Sequence, residues 1–451
     1  MQNTTGIKKP VRTISGVTPL TVVLEPRKCD HGTCIYCPGG DKVPQSYTDK
    51  SPAIMRALAL SFDPYEQVMN RLGVLNKMGH PTDKIELIVL GGTFLQYPLD
   101  YQHNFVKRCF DALNGREAKD LDEAKKWNES AEHRCVAMCI ENRPDNCSEE
   151  EIKRMLNFGA TRVEIGVQMP DDELYKKTNR GHTVQDVVDA TKNLKNAGFK
   201  LGMHLMINLP YSNKEKDFKL FKMIFEDERF RPDQLKLYPC QVVEDSPLGK
   251  THELIGFKPY SREETKEVLS EMMQMIPNYC RVMRVMREFP KDKLIRGVEG
   301  LDLRKDIEDE FRNKGLKIKE IRMREIGFNK EDLHLDVKLK IIEYGASGGK
   351  EFFLEFVNKD NILFGLLRLR LSDKGAMVRE LHVYGQALNL GDKGFESQHT
   401  GLGKKLLDKA EEIAKGNGFD KLSVISGIGV REYFYSRGYS LDDPYVSKIL
   451  K

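Results

Sequence analysis

From about residue 85 the chain alternates short apolar runs with amphipathic stretches, and this alternation limits the possible folds more than any other feature. The runs have the length and composition of buried parallel strands: Ile85–Leu90, Cys135–Ile140, Arg162–Val167, Leu201–Ile207 and Leu235–Tyr238. Between them, apolar residues at helical spacing from Val184 to Leu194 predict a helix with Thr183 as its N-cap and Gly198 just past its end. Repeated βα units predict a parallel sheet, either open or curled into a partial barrel.

Polar residues follow several of these runs at the point where each strand ends. Gly91-Gly92-Thr93 follows the first run, Glu141 and Arg143 follow the second, and Gln168 follows the third, while Lys236 lies within the fifth. A turn needed only for connection explains the two glycines, but it does not explain why charged and amide side chains share one edge. Because chemistry in parallel sheets gathers at the carboxyl ends of the strands, we predict a site at this edge.

The strand–helix rhythm weakens after Pro290. Residues 291–330 are charged and mixed, which predicts a connector with a helix around Leu303–Phe311. From about Asp332 the pattern becomes that of antiparallel strands joined by glycine-rich turns: Leu335–Ile342, Glu351–Val357, Ile362–Leu371 and Val378–Tyr384. We therefore expect a barrel domain over residues 1–290, the connector over 291–330, and an α+β domain over 331–451.

Three cysteines lie within nine residues: Cys29, Cys34 and Cys37. Three thiolates can hold three irons of a 4Fe–4S cluster and leave the fourth iron open to a small molecule. The alternative is a structural zinc site, because Cys34 and Cys37 have a zinc-knuckle spacing and His31 is a local candidate for a further ligand. The spacing favours the cluster and does not settle the choice.

The remaining composition bears on location and charged partners. The nine cysteines form no even framework, and the chain has no apolar leader or long apolar run, which predicts a reduced, cytoplasmic protein with no membrane segment. We expect buried apolar roles for Cys109, Cys135, Cys139, Cys240 and Cys280. The net charge is only +4, but basic residues cluster in places that either hold phosphates or form solvated faces: Lys8, Lys9, Arg12, Arg281, Arg284, Arg287, Lys314, Lys317, Lys319, Arg322 and Arg324.

The C-terminal third carries a motif of its own. Gln398-His399-Thr400-Gly401-Leu402-Gly403-Lys404 begins a helix, and its glycines would let backbone N–H groups approach a pyrophosphate. Alone, this pattern also fits a helix start that merely needs flexible backbone. However, the strand Glu380–Gly385 precedes it and Gly429–Phe434 follows the next strand. That order is similar to the acetyl-CoA-binding fold of GNAT acetyltransferases, in which a splayed strand binds the pantetheine amides.

A three-cysteine site on a βα barrel fused to an acetyl-CoA domain closely resembles the catalytic subunits of Elongator, in their single-chain archaeal or bacterial style. The resemblance runs almost end to end, through segments that occur in the same order: Lys8-Lys9-Pro10-Val11-Arg12-Thr13, Gln45-Ser46-Tyr47-Thr48, Gly91-Gly92-Thr93-Phe94, Arg162–Gln168, Asn179-Arg180-Gly181-His182-Thr183, Leu235–Pro239 and Gly438-Tyr439. It implies an α/β fold with a radical S-adenosylmethionine (SAM) partial barrel followed by an α+β GNAT domain.

The resemblance also implies cofactors and their ligands. Cys29, Cys34 and Cys37 would ligate a 4Fe–4S cluster, and SAM would chelate its open iron. Gly91, Gly92 and Thr93 would lie against the methionine part of SAM. Its ribose or carboxylate would be held by Glu141, Arg143 and Gln168, and Lys236 would act near the cofactor or the substrate.

The implied reaction joins acetyl-CoA to tRNA. A 5′-deoxyadenosyl radical would take a hydrogen atom from the acetyl methyl group, the carbon radical would add to carbon 5 of the wobble uridine, and thioester hydrolysis would leave 5-carboxymethyluridine. The residues implied to bind acetyl-CoA are Lys84, Glu380, Leu381, His382, Val383, Leu402, Gly403, Lys404 and Phe434. Tyr433 would donate a hydrogen bond to the thioester or leaving thiolate, or else would be a packed ring; Phe434 replaces a family tyrosine and lacks its hydroxyl.

We expect the cluster and the thioester pocket to face each other across one cavity. The implied partners are the anticodon stem-loop of tRNA and a homodimer or larger Elongator-like assembly. Relatives carry cysteines shortly before Arg324, but Lys317–Arg324 has none here, so we expect no structural zinc at that place. Two other functions remain open: a protein lysine acetyltransferase whose barrel is only a scaffold, and a non-catalytic RNA-binding module.

Overall fold

The computed structural model describes residues 13–287, 289–300, 302–329, 336–385 and 401–450, and in these it contains two seven-stranded sheets. The predicted segment Gln398-His399-Thr400 and the basic residues Lys8, Lys9 and Arg12 lie outside the described ranges. Within the described ranges, no helix has the length and apolar composition needed to cross a membrane.

The first sheet is wholly parallel, and its strands follow one another in chain order. They are β1 (Thr18–Val23), β2 (Lys84–Leu90), β3 (Arg134–Asn142), β4 (Arg162–Gln168), β5 (Lys200–Ile207), β6 (Gln234–Pro239) and β8 (Arg281–Val285). A short antiparallel pair, β7 (Val242–Val243) and β9 (Leu294–Arg296), lies beside it. The five strands predicted from the sequence are confirmed as β2 to β6. Strands β1 and β8 were missed; β8 reads Arg-Val-Met-Arg-Val, and its arginines suggested a basic surface.

In the described part of the chain, ten helices lie between these strands in sequence: α1 (Pro52–Ala59), α2 (Pro64–Lys77), α3 (Leu99–Asn114), α4 (Leu121–Asn128), α5 (Glu149–Asn157), α6 (Asp172–Lys177), α7 (Val184–Asn196), α8 (Lys214–Glu226), α9 (Pro247–Thr251) and α10 (Arg262–Met275). The predicted helix after Thr183 is confirmed as α7. It begins with a capping box in which the Thr183 hydroxyl accepts from the Asp186 N–H and the Asp186 carboxylate accepts from the Thr183 N–H.

Residues 303–324 contribute two helices, α11 (Leu303–Asn313) and α12 (Ile321–Arg324), and the first confirms the helix predicted there. The apolar face of α11 is fully buried, and its members are Leu303, Ile307 and Phe311. The Ile321 N–H donates to the Cys280 carbonyl just before β8. This stretch therefore packs against the barrel instead of hanging between two bodies.

The second sheet has the order β10-β11-β12-β13-β14-β16-β15 and is antiparallel except where β13 meets β14. Its strands are β10 (Lys338–Ala346), β11 (Gly349–Val357), β12 (Leu363–Ser372), β13 (Gly375–Val383), β14 (Lys421–Val424), β15 (Ser440–Asp442) and β16 (Tyr445–Ile449). Helices α13 (Leu402–Gly416) and α14 (Arg431–Tyr435) complete an α+β domain. The four predicted antiparallel strands are confirmed as β10 to β13, with shifted ends.

Buried ion pairs join the two sheets. Asp233 precedes β6 and accepts from both terminal nitrogens of Arg379 on β13, at 2.8 and 2.7 Å. Two arginines considered above as able to hold phosphates are also in buried ion pairs: Arg281 pairs with Glu325, and Arg324 pairs with Glu355 at 2.8 Å. Those two side chains are therefore structural and not available to a polyanion.

Candidate functional site

The three clustered cysteines lie at the carboxyl edge of the first sheet, and each thiol has a polar neighbour. Cys29 Sγ lies 3.9 Å from the hydroxyl of Thr93, just after β2, and Cys37 Sγ lies 3.0 Å from the Ser46 hydroxyl. Cys34 Sγ lies 3.4 Å from His31 Nε2. Burial raises the pKa of Cys29 and raises that of Cys37 to about 11, so both thiols hold their protons until a metal displaces them.

The spread of the three sulfur atoms favours the cluster over the zinc site considered from the sequence. Ligands of one tetrahedral zinc, with Zn–S near 2.3 Å, lie about 3.8 Å apart. Among the described residues, the one group of three or more Cys, His, Asp or Glu ligand atoms within 4.8 Å of one another is Glu141, Glu164 and His204. The three thiols are therefore not all within 4.8 Å of one another, which fits a cluster in which each binds a different iron.

A glycine turn lies beside the cysteines. Gly91 and Gly92 have φ of 147° and 91°, which other residues rarely adopt. A Cβ on Gly91 would come within 2.8 Å of the Leu24 side chain, and one on Gly92 within 3.4 Å of the Gln45 carbonyl oxygen. These glycines keep the end of β2 close to the loop that carries the thiols and leave its backbone accessible.

The carboxyl edge also has unsatisfied polar atoms, which is what a site for a polar cofactor requires. Gln168 ends β4 in a left-handed conformation with φ of 66°, and its buried Oε1 has no hydrogen-bond partner. His31 Nδ1 is buried and unpaired as well. Arg143 lies at the same edge, but its guanidinium is held in two hydrogen bonds by Asp145, at 2.8 and 2.9 Å. The donor set fits the cluster and SAM that the sequence implies.

Lys236 is the centre of a charged network inside the barrel. Its ammonium group contacts Glu164 and lies 3.2 Å from Glu141, whose other oxygen accepts from the Tyr47 hydroxyl at 2.9 Å. Although burial opposes it, the two carboxylates hold the pKa of Lys236 well above its usual value. Burial, and then Lys236, lower the pKa of His204, which lies 2.9 Å from Glu164. Lys236 is therefore a fixed cation, standing where the three metal-capable groups would otherwise hold an ion.

The sequence reasoning missed Tyr47, Glu164 and His204. A signal for Glu164 was present: Arg162, Glu164 and Gln168 are an even number of positions apart in a strand predicted to be buried, so they point to one face. A polar face on a buried strand indicates that its side chains line a polar cavity. No comparable spacing marked Tyr47, whose place depends on the long loop after the cysteines.

One cavity of about 260 Å³ follows the inner face of the sheet. Its lining begins at the cysteines and extends along β4 from Gln168 to Arg162, the first residue of the strand, which pairs with Glu86 at 2.6 Å. At about 3.3 Å per residue, the strand spans roughly 20 Å. On β1, β2, β3 and β5 only residues of the carboxyl half line the cavity, so it lies mainly toward the carboxyl edge of the sheet and reaches the start of β4 at Arg162.

The residues expected to bind acetyl-CoA lie at the opposite end of the barrel strands. Glu380 pairs at 2.7 Å with Lys200, the first residue of β5, and His382 Nε2 lies 2.7 Å from the carbonyl oxygen of Ser15, just before β1. Lys84 is the first residue of β2. Among described residues, none after Phe289 lines the cavity. The expectation that the thiols and the thioester pocket share one cavity stays a prediction.

The second sheet has a splayed strand at this end. Strand β13 pairs with β14 only from Ala376 to Val378, so the next residues have no β14 partner on that side. The backbone of Leu381 lies along this gap. A strand that diverges from its neighbour in this way can take up the amides of an extended ligand.

Helix α13 faces the same gap. Its N-cap is Gly401, with φ of 78°, and no side chain of the described residues caps the helix start at Leu402, Gly403 and Lys404. An uncapped helix start of this kind can bind an anion. A Cβ on Gly403 would lie 3.1 Å from the Tyr433 hydroxyl and 3.6 Å from the Val383 side chain. The splayed strand β13, the start of α13 and the Tyr433 hydroxyl therefore lie close together.

The two aromatic residues at positions 433 and 434 differ in setting. Tyr433 is partly exposed, and burial raises its pKa, so its hydroxyl is a hydrogen-bond donor at neutral pH. Phe434 is buried, with its ring edge-on to Tyr433 at 5.3 Å and to Tyr439 at 5.8 Å. Its ring packs in the core beside the cleft.

Comparisons with known proteins agree with this geometry. The Radical SAM superfamily model matches residues 26–223, and the Radical_SAM C-terminal domain model matches residues 232–313. A protein named tRNA uridine(34) acetyltransferase from Methanocaldococcus infernus is 47% identical over 98% of this chain and 87% of its own length. One of that name from Dehalococcoides mccartyi is 46% identical over 98% and 100%.

More distant relatives extend over the same length. Elongator complex protein 3 of Homo sapiens is 37% identical over 98% of this chain and 86% of its own. The solved structure of the archaeal Methanocaldococcus infernus Elp3 with an N-terminal deletion superimposes with a TM-score of 0.86 at 42% identity, covering 97% of this chain and 100% of that one. On sequence, fold and site together, the chain belongs to the radical SAM family of Elongator complex protein 3 and the tRNA uridine(34) acetyltransferases.

Proposed function

We propose that this chain is a radical SAM acyltransferase that modifies the wobble uridine of tRNA with a carboxymethyl group taken from acetyl-CoA. One observation carries the proposal: a single chain joins three cluster-spaced thiols at the carboxyl edge of a barrel to a splayed strand and a free helix N-terminus. The names of its relatives supply the substrate class.

The first site would hold the iron–sulfur cluster and SAM. Cys29, Cys34 and Cys37 would bind the cluster, and the turn at Gly91–Thr93 with the free amide oxygen of Gln168 would orient SAM. When bound, these groups supply a 5′-deoxyadenosyl radical able to take a hydrogen atom from an unactivated carbon. The protein itself would bind and orient the cluster and SAM, and would exclude water from the cavity.

Lys236 would act in the cavity of the barrel as a fixed positive charge. Because Glu164 and Glu141 keep it protonated, it is suited to donate a hydrogen bond to a carbonyl or carboxylate oxygen and not to take up a proton. Glu141 is turned toward Lys236 and Tyr47, which supports a role in holding this cation.

The second site would hold acetyl-CoA. The backbone of β13 near Leu381 and Val383 would pair with the pantetheine amides, the start of α13 would bind the pyrophosphate, and the Tyr433 hydroxyl would meet the thioester. The side chains of Glu380 and His382 support this site indirectly, since both are engaged with the barrel. For the reaction, the acetyl group would have to reach the barrel interior.

The wider organisation follows from this scheme. Residues 1–290 would carry the radical chemistry, 331–451 the acetyl-CoA site, and 291–330 the connection. The partner would be the anticodon stem-loop, within a homodimer or larger Elongator-like assembly. All nine cysteines are free, which supports a cytoplasmic location.

The test is anaerobic reconstitution with iron and sulfide, followed by incubation with tRNA, SAM and acetyl-CoA and mass spectrometry of the digested nucleosides. The wild type should form 5-carboxymethyluridine, and Cys34→Ala should form none. The matched control is Cys109→Ala, which removes a buried thiol in α3 far from the cluster loop and should retain activity. If Cys34→Ala acetylated protein lysines at the wild-type rate and neither protein modified tRNA, the chain would be a protein acetyltransferase with a structural barrel.

A further inference from the structure

Arg180 is a buried guanidinium aimed at the cluster loop. It follows α6, is 7% exposed, and places Nη1 3.6 Å from Cys34 Sγ while Nη2 donates to the Gly166 carbonyl. The approach depends on Gly166, because a Cβ there would come within 2.6 Å of Arg180 Nη2. The chain thus makes room on β4 for this one side chain to reach a thiol.

No carboxylate balances the charge of Arg180 among the described residues. Other buried arginines here have one: Arg162 has Glu86, and Arg379 has Asp233. The acidic groups that act on Arg180 are Cys34, Tyr36 and Tyr175, of which the tyrosines are neutral at physiological pH, and its Nε has no partner. A buried cation without a counter-charge costs several kcal/mol. An anion at Cys34 would remove that cost.

We propose that Arg180 is the counter-charge of the cluster and tunes its reduction, through the hydrogen bond to the Cys34 sulfur. The inference rests on the proposed cluster site. A cluster held by three thiolates is anionic, and when an external reductant such as dithionite transfers one electron to it, one further negative charge forms beside the guanidinium. The reduced form therefore gains more from Arg180 than the oxidised form, and the reduction potential rises.

The test is a dithionite titration of the reconstituted protein without SAM, followed by electron paramagnetic resonance of the reduced cluster. In Arg180→Gln, which keeps polarity and loses the charge, we expect the equilibrium constant for reduction to fall at least tenfold, equal to about 59 mV for one electron. Arg180→Lys keeps the cation and should stay within threefold of the wild type. Arg431→Gln is the matched control, since Arg431 is 6% exposed and pairs with Glu129 away from the thiols.

The possible outcomes distinguish the charge effect of Arg180 from a purely structural role and from failure of the cluster proposal. An unchanged potential in a loaded Arg180→Gln protein overturns the inference. Loss of iron from Arg180→Gln but not from Arg180→Lys supports it, because only the lysine variant keeps the positive charge. Loss from both assigns Arg180 to bracing the Gly166 carbonyl and overturns it. A wild type that binds no iron would refute the cluster itself, which is a different result.

Discussion

At Lys236, one buried ammonium contacts two buried carboxylates, Glu141 and Glu164, of which Glu164 also lies 3.5 Å from the Arg162 guanidinium. The groups are nearly inaccessible: the side chains of Lys236 and Glu164 are 15% and 2% exposed. Removing one member of such a cluster leaves an uncompensated charge, which costs more than the pair itself contributes.

Lys236→Met should therefore lower the free energy of unfolding by about 3 kcal/mol, measured by chemical denaturation of the metal-free protein. The double variant Lys236→Met/Glu164→Gln should recover part of this loss, because a neutral amide needs no cation. Lys222→Met is the control: its pair with Glu226 is 63% exposed on both sides and is worth less than about 1 kcal/mol. Equal stability of Lys236→Met and wild type would contradict a buried charge network.

At the scale of one element, the start of α13 depends on small residues. A Cβ added to Gly403 would lie 3.1 Å from the Tyr433 hydroxyl. A Cβ added to Gly416, at the other end of the same helix, would have no atom within 4 Å. A methyl group at 403 displaces the tyrosine and narrows the cleft. The same methyl at 416 meets only solvent and improves helix propensity.

Gly403→Ala should therefore weaken acetyl-CoA binding several-fold, as seen by isothermal titration calorimetry, with little loss of thermal stability. Gly416→Ala should bind like the wild type and be at least as stable. Equal dissociation constants for all three proteins would mean that acetyl-CoA does not use the start of α13.

At the scale of the whole molecule, the two sheets are joined by a buried cluster with more positive than negative groups. Asp233 and Glu351 are each contacted by several of four cations: Lys195, Arg368, Arg370 and Arg379. The two carboxylates are therefore outnumbered by the cations that they neutralise. Asp233→Asn should cost at least about 3–5 kcal/mol, whereas Lys195→Met should cost far less. A thermal unfolding series would show the reverse order if the cations were limiting.

The same cluster predicts a pH dependence. Burial lowers the pKa of Lys195 from 10.5 to about 8, although Asp233 and Glu351 oppose this. Between these values the unfolded chain binds more protons than the folded one, so this group makes stability rise with pH across that interval. The stability of the wild type minus that of Lys195→Met should therefore increase from about pH 8 to about pH 10. A difference that stays flat or falls would show that Lys195 is charged throughout.

The sequence by itself determined the local and repeating features. Apolar runs fixed β2 to β6, a capping residue fixed the start of α7, and cysteine spacing with glycine turns marked both candidate sites, because each depends on neighbouring residues in the chain. Only the tertiary structure decided which polar side chains meet. Glu141, Glu164, His204 and Lys236 come from four strands, and Arg180 reaches Cys34 across 146 positions. It also decided that Glu380 and His382 contact Lys200 and Ser15 near the starts of barrel strands, since domain docking is set by packing over long sequence distances.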